Sequence, residues 1–381
     1  MGKISIVKTA DYEEETMKKS VDTHFSLLGL EKLIRPGMKI VIKPNLLLKS
    51  SPDSAVVTRV EFVRAIILKL KELGAGEITI AESPGGLYNK ARLSAVYSST
   101  EYTSLCDIEG VNLNFDFSSK PKSVPNGKLV HNFELITPIA DADFIINICK
   151  LKTHALTGIS GSVKNLFGCI PGLAKPELHF RFQEQADFCN MLIDLSLCVV
   201  PNITFVDAVW CMEGNGPSGG TPVYSGLTLA STDIYNLDRV LLDVAGFSVN
   251  EAPIVKAEID RGLSSESPDS SNLVGDGVDV LGTLSFKRPD ACDIGFDQRT
   301  PKPLLKPWRF LKKRLFQPKP SITKETCIGC GRCSETCPMK AIKIVDKKAR
   351  ISYNKCIHCF CCQEMCPQKA ISAKRFFAFK M

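Results

Sequence analysis

Short apolar runs closed by polar residues recur along most of this chain. They lie at 4–7 (ISIV), 38–42 (MKIVI), 77–81 (EITIA), 144–149 (FIINIC), 202–206 and 227–230. Runs of this length, rich in β-branched residues and bounded by Gly, Pro or charge, predict buried strands. Between the second and third the period changes to 3.6. Val60, Val63, Ile66, Ile67, Leu70 and Leu73 fall on one helical face, with Gly74 and Gly76 to stop it. Thr58, with Glu61 three residues on, predicts a capping box at its start. Further helices are predicted over 18–30, 184–199, 236–246 and near 253–263. Residues 87–135 carry no clear period. Strand, helix, strand with short links is a βαβ unit, so residues 1–297 read as an α/β domain with a mostly parallel sheet.

Each predicted strand runs into a polar cluster: Lys43 and Asn45; Glu82; Lys150, Lys152 and His154; Asp207; Asp233. In open α/β sheets the ligand crevice lies beyond the carboxyl ends of the strands. Strand ends also meet solvent, so polarity alone decides little; the crowding of cations decides more. Within 149–172, Lys150, Lys152, His154 and Lys164 stand beside Gly158, Ser160 and Gly161, whose backbone N–H groups are unobstructed. That combination suits a small anion, a carboxylate or phosphate. His154 reads equally well as a loop histidine with its bonds satisfied. A second Gly-rich loop at 212–220 (MEGNGPSGG) is expected to close over a ligand. Neither G-x4-G-K-[ST] nor G-x-G-x-x-G is present, so no nucleotide or dinucleotide fingerprint is visible.

The C-terminal part is organised by cysteine. Cys327, Cys330, Cys333 and Cys337 repeat the spacing of Cys356, Cys359, Cys362 and Cys366, each run ending in proline. The run C-x2-C-x2-C-x3-C-P holds cubane iron–sulfur clusters. Zinc would use paired cysteines and leave two per run idle, and disulfides would call for a secretory context. The likeness continues through PMKAI and PQKAI, making an internal repeat. Cys361 is a ninth cysteine inside the second run, and reads as a non-ligand. Residues 321–381 thus resemble the bacterial-type two-cluster ferredoxin domain, a small α+β fold carrying single electrons. The resemblance implies two [4Fe–4S] clusters with the fourth cysteine of each run exchanged: Cys327, Cys330, Cys333 and Cys366 for one, Cys356, Cys359, Cys362 and Cys337 for the other.

The larger part carries a resemblance too. KPNLL at 43–47, AESPGG at 81–86, KLKTH at 150–154, SVKNLFG at 162–168 and MEGNGP at 212–217 occur in this order in the family of domain of unknown function 362. The resemblance implies site positions without roles: Lys43, Asn45, Glu82, Lys152, His154, Lys164, Asn165, Glu213 and Asn215.

Composition adds bounds. With 381 residues, 44% hydrophobic and 23% charged, the chain is globular and longer than a ferredoxin alone. No apolar run is long enough to cross a bilayer, and 1–15 has no apolar signal core, so a cytoplasmic location and no integral membrane segment are expected. The formal charge of +7 is local: 299–324 holds nine Lys or Arg and no acid, and the remainder is slightly acidic. Nucleic acid is therefore not an expected partner. Residues 298–320 read as a basic, proline-rich linker whose WRFLKKRLF core could lie on a membrane surface, with docking onto the first domain the favoured reading. Cys106, Cys149, Cys169, Cys189, Cys198, Cys211 and Cys292 read as buried free thiols.

The expectation is an iron–sulfur electron-transfer protein with a redox partner protein. Its electrons would pass to or from a small anionic ligand at the α/β domain. There Lys43, Asn45, Lys164, Asn165, Glu213 and Asn215 would bind, and Lys152, His154 and Glu82 are the catalytic candidates of a ferredoxin-linked oxidoreductase. The alternatives are a ferredoxin-type carrier whose α/β domain is a non-catalytic adaptor, and a cluster-based redox sensor.

Overall fold

The computed structural model describes residues 2–290 and 318–374. Most of the expected linker, from 298 to 317, and Cys292 lie outside the described residues.

The first region is a three-layer α/β/α structure. Its main strands are β1 (Ile4–Lys8), β2 (Ile40–Pro44), β3 (Ile78–Ile80) and β4 (Val111–Leu113), then an outlying hairpin of β5 (Ser119–Ser123) and β6 (Asn132–Ile136). There follow β7 (Ile145–His154), β8 (Gly158–Ser160), β9 (Ile203–Glu213), β10 (Thr221–Ser231) and β11 (Leu273–Val274). The sheet order is β11-β1-β10-β9-β7-β2-β3-β4, with β8 paired to β7. β9, β7, β2, β3 and β4 run parallel, as the pattern predicts. β10 runs antiparallel to both β9 and β1. The central strand β7 is buried at all ten positions, which is why it reads as an apolar run even though polar residues interrupt it.

Helices α1 (Glu14–Leu28) and α2 (Val60–Glu72) cover one face, Phe25, Phe62 and Ile66 packing on Ile42, Ile80 and Phe205. The other face carries α7 (Gln185–Val199), α8 (Ile234–Ala245) and α9 (Pro253–Asp260), with Leu192, Leu241 and Val255 against Cys149, Val206 and Leu229. The remaining helices of the region are α3 (Lys90–Ser99), α4 (Thr137–Ala140), α5 (Ser162–Asn165) and α6 (Ala174–Arg181).

Two local expectations give way. The capping box at Thr58 does not form. The Thr58 hydroxyl instead accepts from Asn45 N at 3.1 Å and donates to Ile148 O at 3.0 Å, tying β2 to β7, while Arg59 takes the N-cap. Asp233 lies at the opposite sheet edge from the other strand-end groups, because β10 is antiparallel; it caps α8 through Asn236 N at 3.1 Å.

The C-terminal region is a small α+β unit. β12 (Lys319–Ile322) pairs with β15 (Ile371–Lys374), and β13 (Ile342–Val345) with β14 (Lys348–Ile351). Short helices Arg332–Glu335 and Cys361–Glu364 follow the two cysteine loops. This unit sits on the first. Met365, 4% exposed, belongs to the apolar cluster under α2, close against Gly85, where a Cβ would collide with its sulfur. The Gly-rich loop expected to cover a ligand is the seat: Ser218 Oγ donates to Glu364 O at 2.7 Å, and Lys369 Nζ to Gly220 O at 3.0 Å. Among the described residues no helix is long and apolar enough to cross a membrane.

Candidate functional site

Beyond the carboxyl ends of β2, β3 and β7 lies a cavity of ≈ 80 Å³, closed on its far side by the cysteine-rich unit. Asn45, Glu82, Lys152, His154, Lys164 and Asn165 line it from the strand ends. Cys361, Glu364 and Met365 line it from the second cysteine run, with Thr336 from the first. Lys175 and His179 of α6 complete the wall.

The lysines are held differently. Lys43 is fully buried behind the lining and pairs with Glu82 at 2.7 Å, also donating to Pro44 O and Asn165 Oδ1. Gly168 lets this pair pass: a side chain there would strike the Glu82 carboxylate. Lys152 donates to Asn45 Oδ1 at 3.0 Å and Val56 O at 2.8 Å, leaving its third N–H. Burial, with Lys164 and Lys150 nearby, pulls its ammonium down to about 7. Burial likewise brings Lys175 to about 7 despite Glu82, while its Nζ donates to Ser83 O. Lys164 lies over the Phe167 ring at 4.7 Å, and burial lowers it against the opposing pull of Glu364. Such amines carry a proton near neutrality yet release it readily.

His154 is fully buried. Its Nδ1 accepts from Leu156 N at 3.1 Å and Thr157 N at 3.3 Å, which places the ring proton on Nε2. Burial lowers its pKa, so the ring is neutral, although Glu364 opposes the shift. Nε2 stands 3.3 Å from Glu364 Oε1 but is not aligned on it, and has no hydrogen-bond partner among the described residues. The buried Nε2–H thus faces the cavity beside the Glu364 carboxylate without an aligned hydrogen bond. Glu364 stays ionised: burial would raise it, but His154 and Lys164 hold it well below the usual carboxylate range.

Other expected groups are placed elsewhere. Lys150 pairs with Asp207 at 2.9 Å beside Tyr12, away from the cavity. Glu213 accepts from Lys287 N at 2.8 Å, and Asn215 pairs with Asp290 through both amide atoms; neither lines the cavity. Of the backbone donors expected at Gly158, Ser160 and Gly161, the first two lie in β8, paired with β7. Asp238 packs against Gly161 and accepts from the next two residues, Ser162 N at 2.5 Å and Val163 N at 3.0 Å. Lys175, His179, Cys361 and Glu364 belong to the site without having been singled out for it. No local spacing marks them, because each arrives from a distant segment.

The cysteines gather in two groups. Cys327, Cys330, Cys333 and Cys366 line one small cavity; Cys337, Cys356, Cys359 and Cys362 line a second, together with Cys361. Backbone N–H groups already point at sulfur: Ala341 N to Cys337 and Ala370 N to Cys366, both 3.2 Å, at matching places in the repeat. Among the described residues no three His, Cys, Asp or Glu converge on a single ion. Each cysteine quartet surrounds a space, as the thiolates of a cluster must.

The family model described as domain of unknown function (DUF362) matches residues 40–243. The chain belongs to the DUF362 family. A second model, a 4Fe-4S dicluster domain, matches residues 319–367, which makes this DUF362 protein an iron–sulfur protein. It is 30% identical over 263 residues to a thylakoid-associated protein of Synechocystis sp., covering 68% of this chain and 80% of that one. It is also similar to the lactate racemase apoprotein of Thermoanaerobacterium thermosaccharolyticum, at a TM-score of 0.39 and 13% identity. That match covers 62% of this chain, which spans 56% of the racemase length.

Proposed function

We propose that this DUF362 protein moves single electrons between two [4Fe–4S] clusters and a small anion held in the cavity between its two regions. The observation that carries the reading is that Cys361, Glu364 and Met365 of the second cysteine run line the same cavity as Lys152, His154 and Lys164. Cys327, Cys330, Cys333 and Cys366 would hold one cluster, and Cys337, Cys356, Cys359 and Cys362 the other; when bound, the clusters supply one-electron chemistry.

The chain's own groups supply the rest. Lys152, Lys164 and Lys175 neutralise the ligand's charge. The Nε2–H of His154 donates a hydrogen bond to charge developing on a ligand oxygen. Lys152, with its ammonium near 7, is the group best placed to give or take the accompanying proton. Glu82, tied to Lys43, positions that lysine and Asn165, so the proton role expected of it passes to Lys152. Met365 walls the cavity on the side of the cysteine-rich unit. The many reduced thiols fit a reducing compartment such as the cytoplasm.

The test is thermal-shift screening of the anaerobically reconstituted protein against phosphate, oxalate and small mono- and dicarboxylates. At least one should stabilise the wild type and not Lys152→Met. If none distinguishes the two proteins, the adaptor reading takes its place.

A further inference from the structure

The two halves of the cysteine repeat differ where symmetry would make them alike. In the second, Phe360 and Cys361 stand where the first has Gly331 and Arg332, and Met365 where it has Thr336. Phe360, Cys361 and Met365 are 4–6% exposed and face the α/β region. The first half is turned outward. Ile328 is 61% and Ile344 38% exposed, yet both line the cavity of Cys327, Cys330, Cys333 and Cys366, and Cys330 is itself exposed. Their repeat mates Ile357 and Cys359 are half-buried.

Charge marks the same outward face. Lys348 Nζ donates to Cys327 O at 2.7 Å, and the Lys347 carbonyl closes on Gly329, so the β13–β14 turn brings both lysines beside the cysteine loop. Lys324 is exposed three residues before Cys327. Of the acids nearby, Asp346 is paired with Arg350 at 2.9 Å and Glu335 with Arg92 at 3.4 Å, while the exposed Glu325 stands beside Lys324. Over 318–374 the chain has eleven Lys or Arg against four Asp or Glu.

We propose that this face, apolar at Ile328 and Ile344 and ringed by Lys324, Lys347 and Lys348, docks an acidic one-electron carrier protein. A small apolar centre gives close approach, and the cationic rim steers a partner of opposite charge. The inference rests on the two-cluster reading and gives it a direction. The quartet Cys327, Cys330, Cys333 and Cys366 would hold the cluster that accepts one electron from the reduced carrier, which becomes oxidised. The inward quartet, whose cavity shares the lining residue Cys361 with the ligand cavity, serves the anion.

The experiment measures binding of the full, anaerobically loaded chain to a strongly acidic flavodoxin, with basic cytochrome c for comparison, as salt is raised. Flavodoxin should bind, weaken with salt, and bind roughly tenfold more weakly to Lys347→Glu and Ile328→Ser, with Lys18→Glu on α1 unchanged. Three results would each overturn the proposal: equal affinity across all four proteins, preference for cytochrome c, or wild-type binding to anionic vesicles but not to flavodoxin. Iron content and bleaching by dithionite, read on the same samples, report separately whether the two-cluster reading itself has failed.

Discussion

Lys152 is a lysine that the fold keeps close to losing its proton. Buried at 1% exposure and flanked by two other lysines, it is a cation only when the medium or a ligand helps. In the proposed function its charged form binds the anion, and that form is lost as pH rises through about 7. Affinity for a stabilising oxyanion should therefore fall between pH 6 and pH 8, by several-fold and at most roughly tenfold per pH unit for each proton involved. Calorimetry across that range checks this, and Lys152→Met should both weaken binding and flatten the profile. Glu258 is the contrary case, without a role in the site. Both its oxygens are buried with no hydrogen-bond partner among the described residues, and burial beside Asp238 and Asp233 holds the acid well above its ordinary 4.5. A raised folded-state pKa stabilises fully only below the unfolded value and loses that contribution as pH climbs. Glu258→Leu should accordingly raise Tm at pH 8 and do so less at pH 5, with a ceiling of about 1.4 kcal/mol per pH unit between the two pKa values. A drop in Tm at pH 8 would contradict this.

At the level of elements, the strands were legible because their signal is local. Runs such as IVI at 40–42 and FIINI at 144–148 are apolar on both faces, and the structure buries them on both. Strand direction was not legible. Nothing in TLAS at 228–231 distinguishes a parallel from an antiparallel strand, so Asp233 was grouped with a site that lies at the other edge. The glycines of 158–161 read as ligand donors because neither the pairing of β8 with β7 nor the distant Asp238 packed on Gly161 leaves a mark nearby in sequence. The cysteine runs were legible for the opposite reason: a cluster takes most of its ligands from one loop, so spacing alone carries its geometry. Missing from the sequence was the docking of helix Cys361–Glu364, which rests on long-range contacts of Met365, Ser218 and Lys369. Cutting Met365 to alanine removes a buried anchor of the kind that costs roughly 2–5 kcal/mol in a core. Met365→Ala should loosen the two regions, seen as a larger radius of gyration in solution scattering, while iron content stays at the wild-type level. An unchanged radius would mean that the polar contacts alone hold the interface.

The whole molecule joins a redox module to a cationic crevice and leaves the crevice unfinished without the module. His154 and Lys164 come from the α/β region, and the carboxylate that faces them, Glu364, comes from the other. An adaptor would need no buried Nε2–H at His154 facing the crevice without an aligned partner. The inward quartet should therefore feel a charge placed in the cavity, and the outward quartet should feel it little. The measurement that tests this most directly is a reductive titration of the reconstituted protein followed by electron paramagnetic resonance, with and without an anion that stabilises it. The account predicts close to eight irons per chain and two one-electron centres. One centre should move to more negative potential on adding the anion in the wild type, and neither should move in Lys152→Met. A single centre, or two centres indifferent to the anion, would contradict it.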